Sequence, residues 1–255
     1  MLMLQVGPLI LARNVARDAE LIVQHCNDEE LLLNAVSTLT NLSFYENWAP
    51  NTAIKVHHRG PIFQNRLSLL TLLLPLATHE NDEVVAHALR VIGNLSRDAE
   101  VRQLAVTLKG LDLLSLLLDK TDPEIVVTAC GILVNFASDA TFVSAFASLT
   151  TKLVEVVDQA LEADEAVCDQ IATNAMKSIG NLLGHGVKLR LLDRKRLFKV
   201  LDSYFGEGQE PSEEEDPELV AIAQALLKQL HWGPAEDLDE SNGGAAADIN
   251  VLEPL

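Results

Sequence analysis

The chain has 255 residues, 48% of them hydrophobic and only 4% aromatic, so it can bury a sizeable core and that core must be aliphatic. Its formal net charge is -18, and residues 206–255 carry -12 of it, with 13 Asp/Glu against Lys228 alone. This balance argues against nucleic acid as a partner, because phosphate recognition needs a clustered basic surface. The three cysteines, Cys26, Cys130 and Cys168, are an odd number at wide spacing with no Cys-x-x-Cys pair. They fit a reducing, cytoplasmic compartment better than a disulfide framework, and Cys130 reads as a core thiol. The most apolar run, Leu67 to Ala77, contains Pro75 and is far short of the ~20 residues that cross a bilayer, so no membrane span is expected. Met1 to Ala12 is apolar but has no basic start, which argues against a secretory leader. The expectation is that residue 1 falls inside a repeat and that the chain is part of something longer.

Taken in order, the chain repeats itself. Leu4 to Asp18 reads as the tail of a repeat helix, with Asn14 in the key position, and residues 19–26 as a short apolar helix. Asn27-Asp28-Glu29-Glu30 supplies a cap and an acidic first turn for a helix expected to end near Ser43 around Asn41. Residues 44–61, with two prolines and Gly60, read as an irregular insertion. Leu67 to Ala77 is the next apolar helix, and Asn81-Asp82-Glu83 opens the helix that carries Ala88-Leu-Arg-Val-Ile-Gly-Asn94-Leu-Ser96. A helix from Asp98 to about Leu108 follows, then Gly110 and Leu111 to Leu118. Asp122-Pro123-Glu124 is a helix start with proline in the first turn, leading to Asn135. Phe142 to Phe146 and Leu149 to Leu161 form the next pair, and Asp164 opens the helix of Asn181, closed by Gly184 and Gly186. Residues 187–205 give a basic amphipathic helix or helix pair, 206–217 an acidic loop, and Pro217 to Trp232 a weaker copy with Gln229 in the asparagine's place. Residues 233–255 have the composition of a disordered acidic tail.

Aligned on Asn41, Asn94, Asn135 and Asn181, the position six before is alanine each time: Ala35, Ala88, Ala129 and Ala175. Two before stand Leu39, Ile92, Leu133 and Ile179; one after stand Leu42, Leu95, Phe136 and Leu182. Every periodic stretch has a helical period and none reads as a strand. Units of about 40 residues cannot close a core singly, but stacked they share one. This Ala-x-x-x-Leu/Ile-x-Asn-Leu-Ser pattern resembles the third helix of the armadillo repeat. The resemblance implies an all-α, right-handed α-solenoid of about five repeats, two of them irregular. They would occupy residues 1–232, with a truncated first repeat, the insertion at 44–61 and the acidic loop at 206–217. Within the family, the runs ending in Tyr45 and Asp98 look most like a member from motile cilia and flagella. That narrower likeness implies work on axonemal complexes such as radial spokes, in the cytoplasm or the cilium.

At ~100° per residue, the positions seven and four before each asparagine share its face. They form a stripe: Asn34, Ser37, Asn41; His87, Arg90, Asn94; Thr128, Gly131, Asn135; Asn174, Lys177, Asn181. Apart from Gly131 the stripe is polar, and the opposite arc, such as Val85, Ala88, Leu89 and Ile92, is apolar. An asparagine amide both donates and accepts, so a row of them can clamp the backbone of an extended segment. In the armadillo family the third-helix asparagines often do this; the alternative is that each bonds to a neighbouring turn and maintains the stack. Import adaptors of the family carry tryptophan four before the asparagine, and this chain has Ser37, Arg90, Gly131 and Lys177 there. A basic signal is therefore a poor ligand, and an extended or helical segment of acidic or mixed charge is better matched.

Other candidates are weaker. Phe44, Tyr45 and Trp48 could anchor a partner, although plugging the gap beside the irregular repeat is the preferred expectation. His57-His58 lacks further ligands at metal spacing, so no metal and no cofactor is expected. The basic run 188–199 could meet an acidic partner, with neutralisation of the acidic loop preferred. Asn41-Leu-Ser43 and Asn94-Leu-Ser96 match glycosylation sequons but lie inside helices. Catalytic motifs are missing, and the chain reads as a non-enzymatic scaffold or cargo adaptor. The alternative is a permanent structural subunit of a large assembly with no free groove.

Overall fold

The computed structural model describes residues 3–47, 60–146, 149–163, 166–206 and 216–230. Helices account for nearly all of them and no strand occurs among the described residues. The chain divides into two compact units, Met1–Leu114 and Ser115–Leu255.

The first unit holds α1 (Met3–His25), α2 (Glu29–Asn47), α3 (Pro61–Gln64) and α4 (Arg66–Leu73). A 3-10 turn (Leu74–Thr78), α5 (Asp82–Leu95) and α6 (Ala99–Thr107) follow, and α7 (Gly110–Leu117) spans the division. The expected break between Asp18 and residue 19 is absent: α1 is continuous, because Ala19, Glu20 and Leu21 are all compatible with a helix and no proline or glycine intervenes. Asp28 caps α2, accepting from the Leu31 amide at 3.0 Å. α2 then overruns its expected end by a turn, through Phe44 and Tyr45 to Asn47. The chain offers no stop signal there, so the irregular insertion does not begin at 44. His57-His58 and Trp48 lie outside the described residues. The expected single helix from Leu67 to Ala77 is two pieces, since Pro75 tightens the end of α4 into the 3-10 turn, and Pro61 starts the separate α3 before it.

The second unit holds α8 (Pro123–Ala137), a 3-10 turn (Ala140–Phe146), α9 (Thr150–Glu162), α10 (Ala166–Gly184), α11 (Leu191–Phe205) and α12 (Pro217–Gln229). Asp164 lies outside the described residues. Residues 191–205 are one helix rather than a pair. Four starts share one device: Asn81, Asp98, Asp122 and Asp216 each accept from the backbone N–H of the glutamate two residues on, at 2.8–3.0 Å. Each such cap is worth about 1 kcal/mol. α10 ends in a glycine turn: Gly186 takes φ +84°, with Gly186 N–H donating to Leu183 O at 2.9 Å and Val187 N–H to Leu182 O at 3.0 Å.

The core follows the repeat register. Ala35, Ala88, Ala129 and Ala175 are buried, as are Leu39, Ile92, Leu133 and Ile179. In the first unit α2 packs on α1 and α5, and α5 on α4; in the second α10 packs on α8, α9 and α12, and α11 on α9 and α12. Charged residues that the sequence did not suggest join the core, Arg102 in the first unit and Asp193 in the second. Arg102 is buried and its guanidinium Nη1 donates to Ser96 O at 2.8 Å and Arg97 O at 2.9 Å, closing carbonyls at the end of α5.

Cys130 is fully buried on α8 and burial pushes its thiol up to about 12. Native protein treated with iodoacetamide at mildly alkaline pH should modify Cys26 and Cys168, both half-buried, and leave Cys130 intact until denaturant is added. Mass mapping that finds Cys130 alkylated at the same rate would contradict this packing.

Candidate functional site

The stripe of positions set by the asparagines is open in one unit and closed in the other. In the first unit Asn34 and Asn41 lie exposed on α2, with Ser37 half-buried between them. Next to them on α5 are His87, Arg90 and Asn94, all half-buried. The two helices are stitched along this seam. Asn94 Nδ2 donates to Ser43 Oγ at 2.9 Å, and Thr40 Oγ1 donates to His87 O at 3.1 Å and lies 3.3 Å from His87 Nδ1. Asn94 therefore serves the stack, while the amides of Asn34 and Asn41 point at solvent.

The same face continues past Asn41. Phe44 and Tyr45 stand within about 60° of it, one turn further along α2. They are 54% and 75% exposed, and their rings meet edge to face with centroids 5.6 Å apart. The expectation that they fill a gap beside the irregular repeat is thus corrected. Helix α2 runs on without a break and carries both rings outward, so they cannot reach a core. The overrun put them in register with the polar stripe, which the expected helix end at Ser43 had hidden. Glu46, on the same turn, bends back instead. Its carboxylate accepts from the Ile62 and Phe63 amides at 3.1 and 3.0 Å and so caps α3. Burial raises its pKa above the usual carboxylate value, against those two bonds.

In the second unit the equivalent residues are covered. Thr128 is half-buried and donates to Glu124 O of its own helix at 2.7 Å; Gly131 and Asn135 are buried. On α10 every residue from Ile171 to Leu182 is buried, including Asn174, Lys177 and Asn181. Asn174 Nδ2 reaches Val127 O on α8 at 3.4 Å. Lys177 Nζ is ion-paired to Glu218 Oε1 on α12 at 2.9 Å. The expected free cation at Lys177 is therefore committed inside the fold, because α12 brings a first-turn glutamate against it. Among the described residues no cluster of three metal-ligating side chains occurs, and no single helix is long and apolar enough to cross a membrane.

Along residues 188–199, the arginines are tied down. Arg190 Nε pairs with Asp193 at 2.8 Å, and its Nη2 donates to Thr151 Oγ1. Arg196 pairs with Asp158 at 2.5 Å, and Arg194 Nη2 reaches Leu230 O at 3.5 Å. The Arg190 hydrogen bond holds the Asp193 carboxyl below its usual range, against the opposing effect of burial.

Comparison with known proteins agrees with this architecture. No family profile matches the chain. Among curated proteins it is 34% identical over 111 residues to Armadillo repeat-containing protein 2 of Homo sapiens, and 32% identical over 112 residues to that of Mus musculus. Each match covers 44% of this chain, and the chain spans only 12% of the length of these relatives. Among solved structures it is similar to a designed armadillo repeat protein in complex with the peptide (KR)4, at TM-score 0.62, 19% identity, 89% of this chain and 85% of that one. A second designed armadillo repeat protein superposes at TM-score 0.53 with 18% identity over 83% of this chain and 99% of the other. Four copies in one register, helices stacked as the register requires and solved neighbours of one architecture converge: the chain is an α-solenoid of the armadillo-repeat fold, similar in sequence to Armadillo repeat-containing protein 2.

Proposed function

We propose that this chain is a protein-binding scaffold or cargo adaptor whose binding face is the exposed stripe of the first unit. The observation that carries this reading is the pair of exposed asparagines, Asn34 and Asn41, on the α2 face that also bears an exposed aromatic pair, with Arg90 on the adjoining α5. The amides would clamp the backbone of an extended or helical segment, Arg90 would favour an acidic or mixed one, and Phe44 and Tyr45 would anchor an apolar side chain. The designed neighbour holds a cationic peptide; this chain places Arg90 in its stripe and would select against such a ligand. The likeness carried by the runs ending in Tyr45 and Asp98 extends the proposal to a cellular role in assembly or transport of ciliary and flagellar axonemal complexes, such as radial spokes.

The closed stripe of the second unit favours a second reading for that half: a permanent structural element, whose asparagines maintain the stack. The two readings separate in a capture experiment from axonemal and cytosolic extracts of ciliated cells. Reversible, salt-sensitive retention of a soluble partner supports the adaptor. Recovery of the chain only with the insoluble axoneme supports the structural subunit. For a retained partner, Phe44→Ala with Tyr45→Ala should weaken binding about 30-fold, as loss of an interface hot spot of about 2 kcal/mol does. Arg90→Glu should weaken an acidic partner further and raise retention of a basic one. Unchanged affinity in both variants would move the binding face elsewhere.

A further inference from the structure

A second surface stands on α11, independent of the stripe on α2 and α5. Residues 188–199 hold six of the 19 Lys and Arg in a chain of net charge -18. The helix buries Asp193, Leu197, Leu201 and Phe205, and packs on α9 and α12. Its opposite arc carries Leu191, Leu192, Lys195, Arg196, Lys199 and Asp202, all exposed. Leu191 is 54% exposed and Leu192 is 78% exposed, the highest value among large hydrophobic residues of the described chain.

The arginines work inside the fold: Arg190 on Asp193 and Thr151, Arg194 on Leu230 O, Arg196 on Asp158. Lys188 and Lys199 are exposed and form no ion pair with any of the described residues. They bracket the two leucines, Lys188 before them and Lys199 two turns along the same arc. Leu191, Lys195 and Lys199 follow at intervals of four, so they line one edge of the helix. Two uncovered leucines, with Lys188 and Lys199 to either side of them in sequence, form an apolar spot with a positive border.

From this arrangement we propose that the outer arc of α11 docks an acidic helical segment of a protein partner. That segment lays two apolar side chains on Leu191 and Leu192 and directs carboxylates to Lys188 and Lys199. Charge complementarity selects this occupant, since the patch is positive on an acidic chain. A lipid surface fits less well. A helix lying in a bilayer interface needs a continuous apolar face, and that of α11 is spent on α9 and α12. The exposed arc adds only the two leucines at its start, and Asp202 follows on the same side.

The test is fluorescence anisotropy on the full chain with a labelled synthetic helical peptide. The peptide carries paired leucines followed by glutamates at four-residue intervals; polyglutamate of equal length is the control. The leucine–glutamate peptide should bind, weaken as salt rises, and exceed polyglutamate by about tenfold or more. Leu191→Ser with Leu192→Ser, and separately Lys188→Glu with Lys199→Glu, should each lower its affinity by about tenfold. Helicity should stay unchanged, because all four side chains are exposed. Equal binding by the variants, or equal binding of polyglutamate, would overturn the proposal. Two other occupants are decided by the same reagents. Sedimentation with phosphatidylserine vesicles that the leucine variant abolishes, with no peptide binding, assigns the patch to a membrane and overturns it. A tenfold rise in peptide affinity on changing Glu236→Gln, Asp237→Asn, Asp239→Asn and Glu240→Gln makes the chain's own acidic segment the occupant, which also overturns it.

Discussion

Phe136→Ala is expected to lower the stability of the second unit by about 3–5 kcal/mol, among the largest effects a single core substitution can have. Phe136 is fully buried on α8 and its ring lies 5.8 Å from that of Phe142, also buried. In the register it follows Asn135, where the other copies place Leu42, Leu95 and Leu182. The pocket around this copy is therefore built for an aromatic ring. Alanine leaves a cavity that backbone-locked neighbours on both sides cannot fill. Phe136→Leu installs the residue of the other copies and should cost much less, about 1–2 kcal/mol, since only part of the volume is lost. Urea unfolding followed by circular dichroism measures both. Stacked repeats can unfold in stages, so the comparison belongs to the transition that the mutation moves. An alanine variant as stable as the leucine variant would mean that the site collapses around the gap.

Glu218→Ala carries the second large effect, and its asymmetry with Lys177→Met is the informative part. The Lys177 side chain is buried, and its ammonium meets Glu218 at 2.9 Å, whereas the Glu218 side chain is about half exposed. Deleting the glutamate strands a charge in an apolar place. Sealed pairs broken this way lose about 3–5 kcal/mol; here water still enters from the Glu218 side, so about 2 kcal/mol is expected. Lys177→Met removes the charge and keeps most of the stem, leaving Glu218 solvated at the start of α12. It should be neutral within about 1 kcal/mol. Both are read from the same denaturation curves, and a methionine variant that loses as much as Glu218→Ala would show that the ion pair itself holds α12 in place. The pair also matters for ligands. A partner carboxylate cannot engage Lys177 without displacing Glu218.

The sequence by itself determined the repeat, its register and its core. Ala88 and Ile92, and their counterparts in the other copies, are buried because a helix has one period and an apolar stripe along it must find cover. The helix starts at Asn81, Asp98 and Asp122 were equally plain, since these side chains act on amides only two or three residues away. What the tertiary structure alone decided is which polar positions stay open. Asn41 and Asn181 hold the same place in the register, yet one faces solvent and the other is buried. Local periodicity says only which side of a helix a residue takes; how deeply neighbouring helices enclose that side depends on packing between segments distant in sequence. The pairing of Lys177 with Glu218, 41 residues apart, is of this kind. So is the outward placement of Phe44 and Tyr45, which followed once α2 ran past Ser43. Covalent neighbours fix the period of this chain, and contacts between distant helices choose which of its asparagines can meet a ligand.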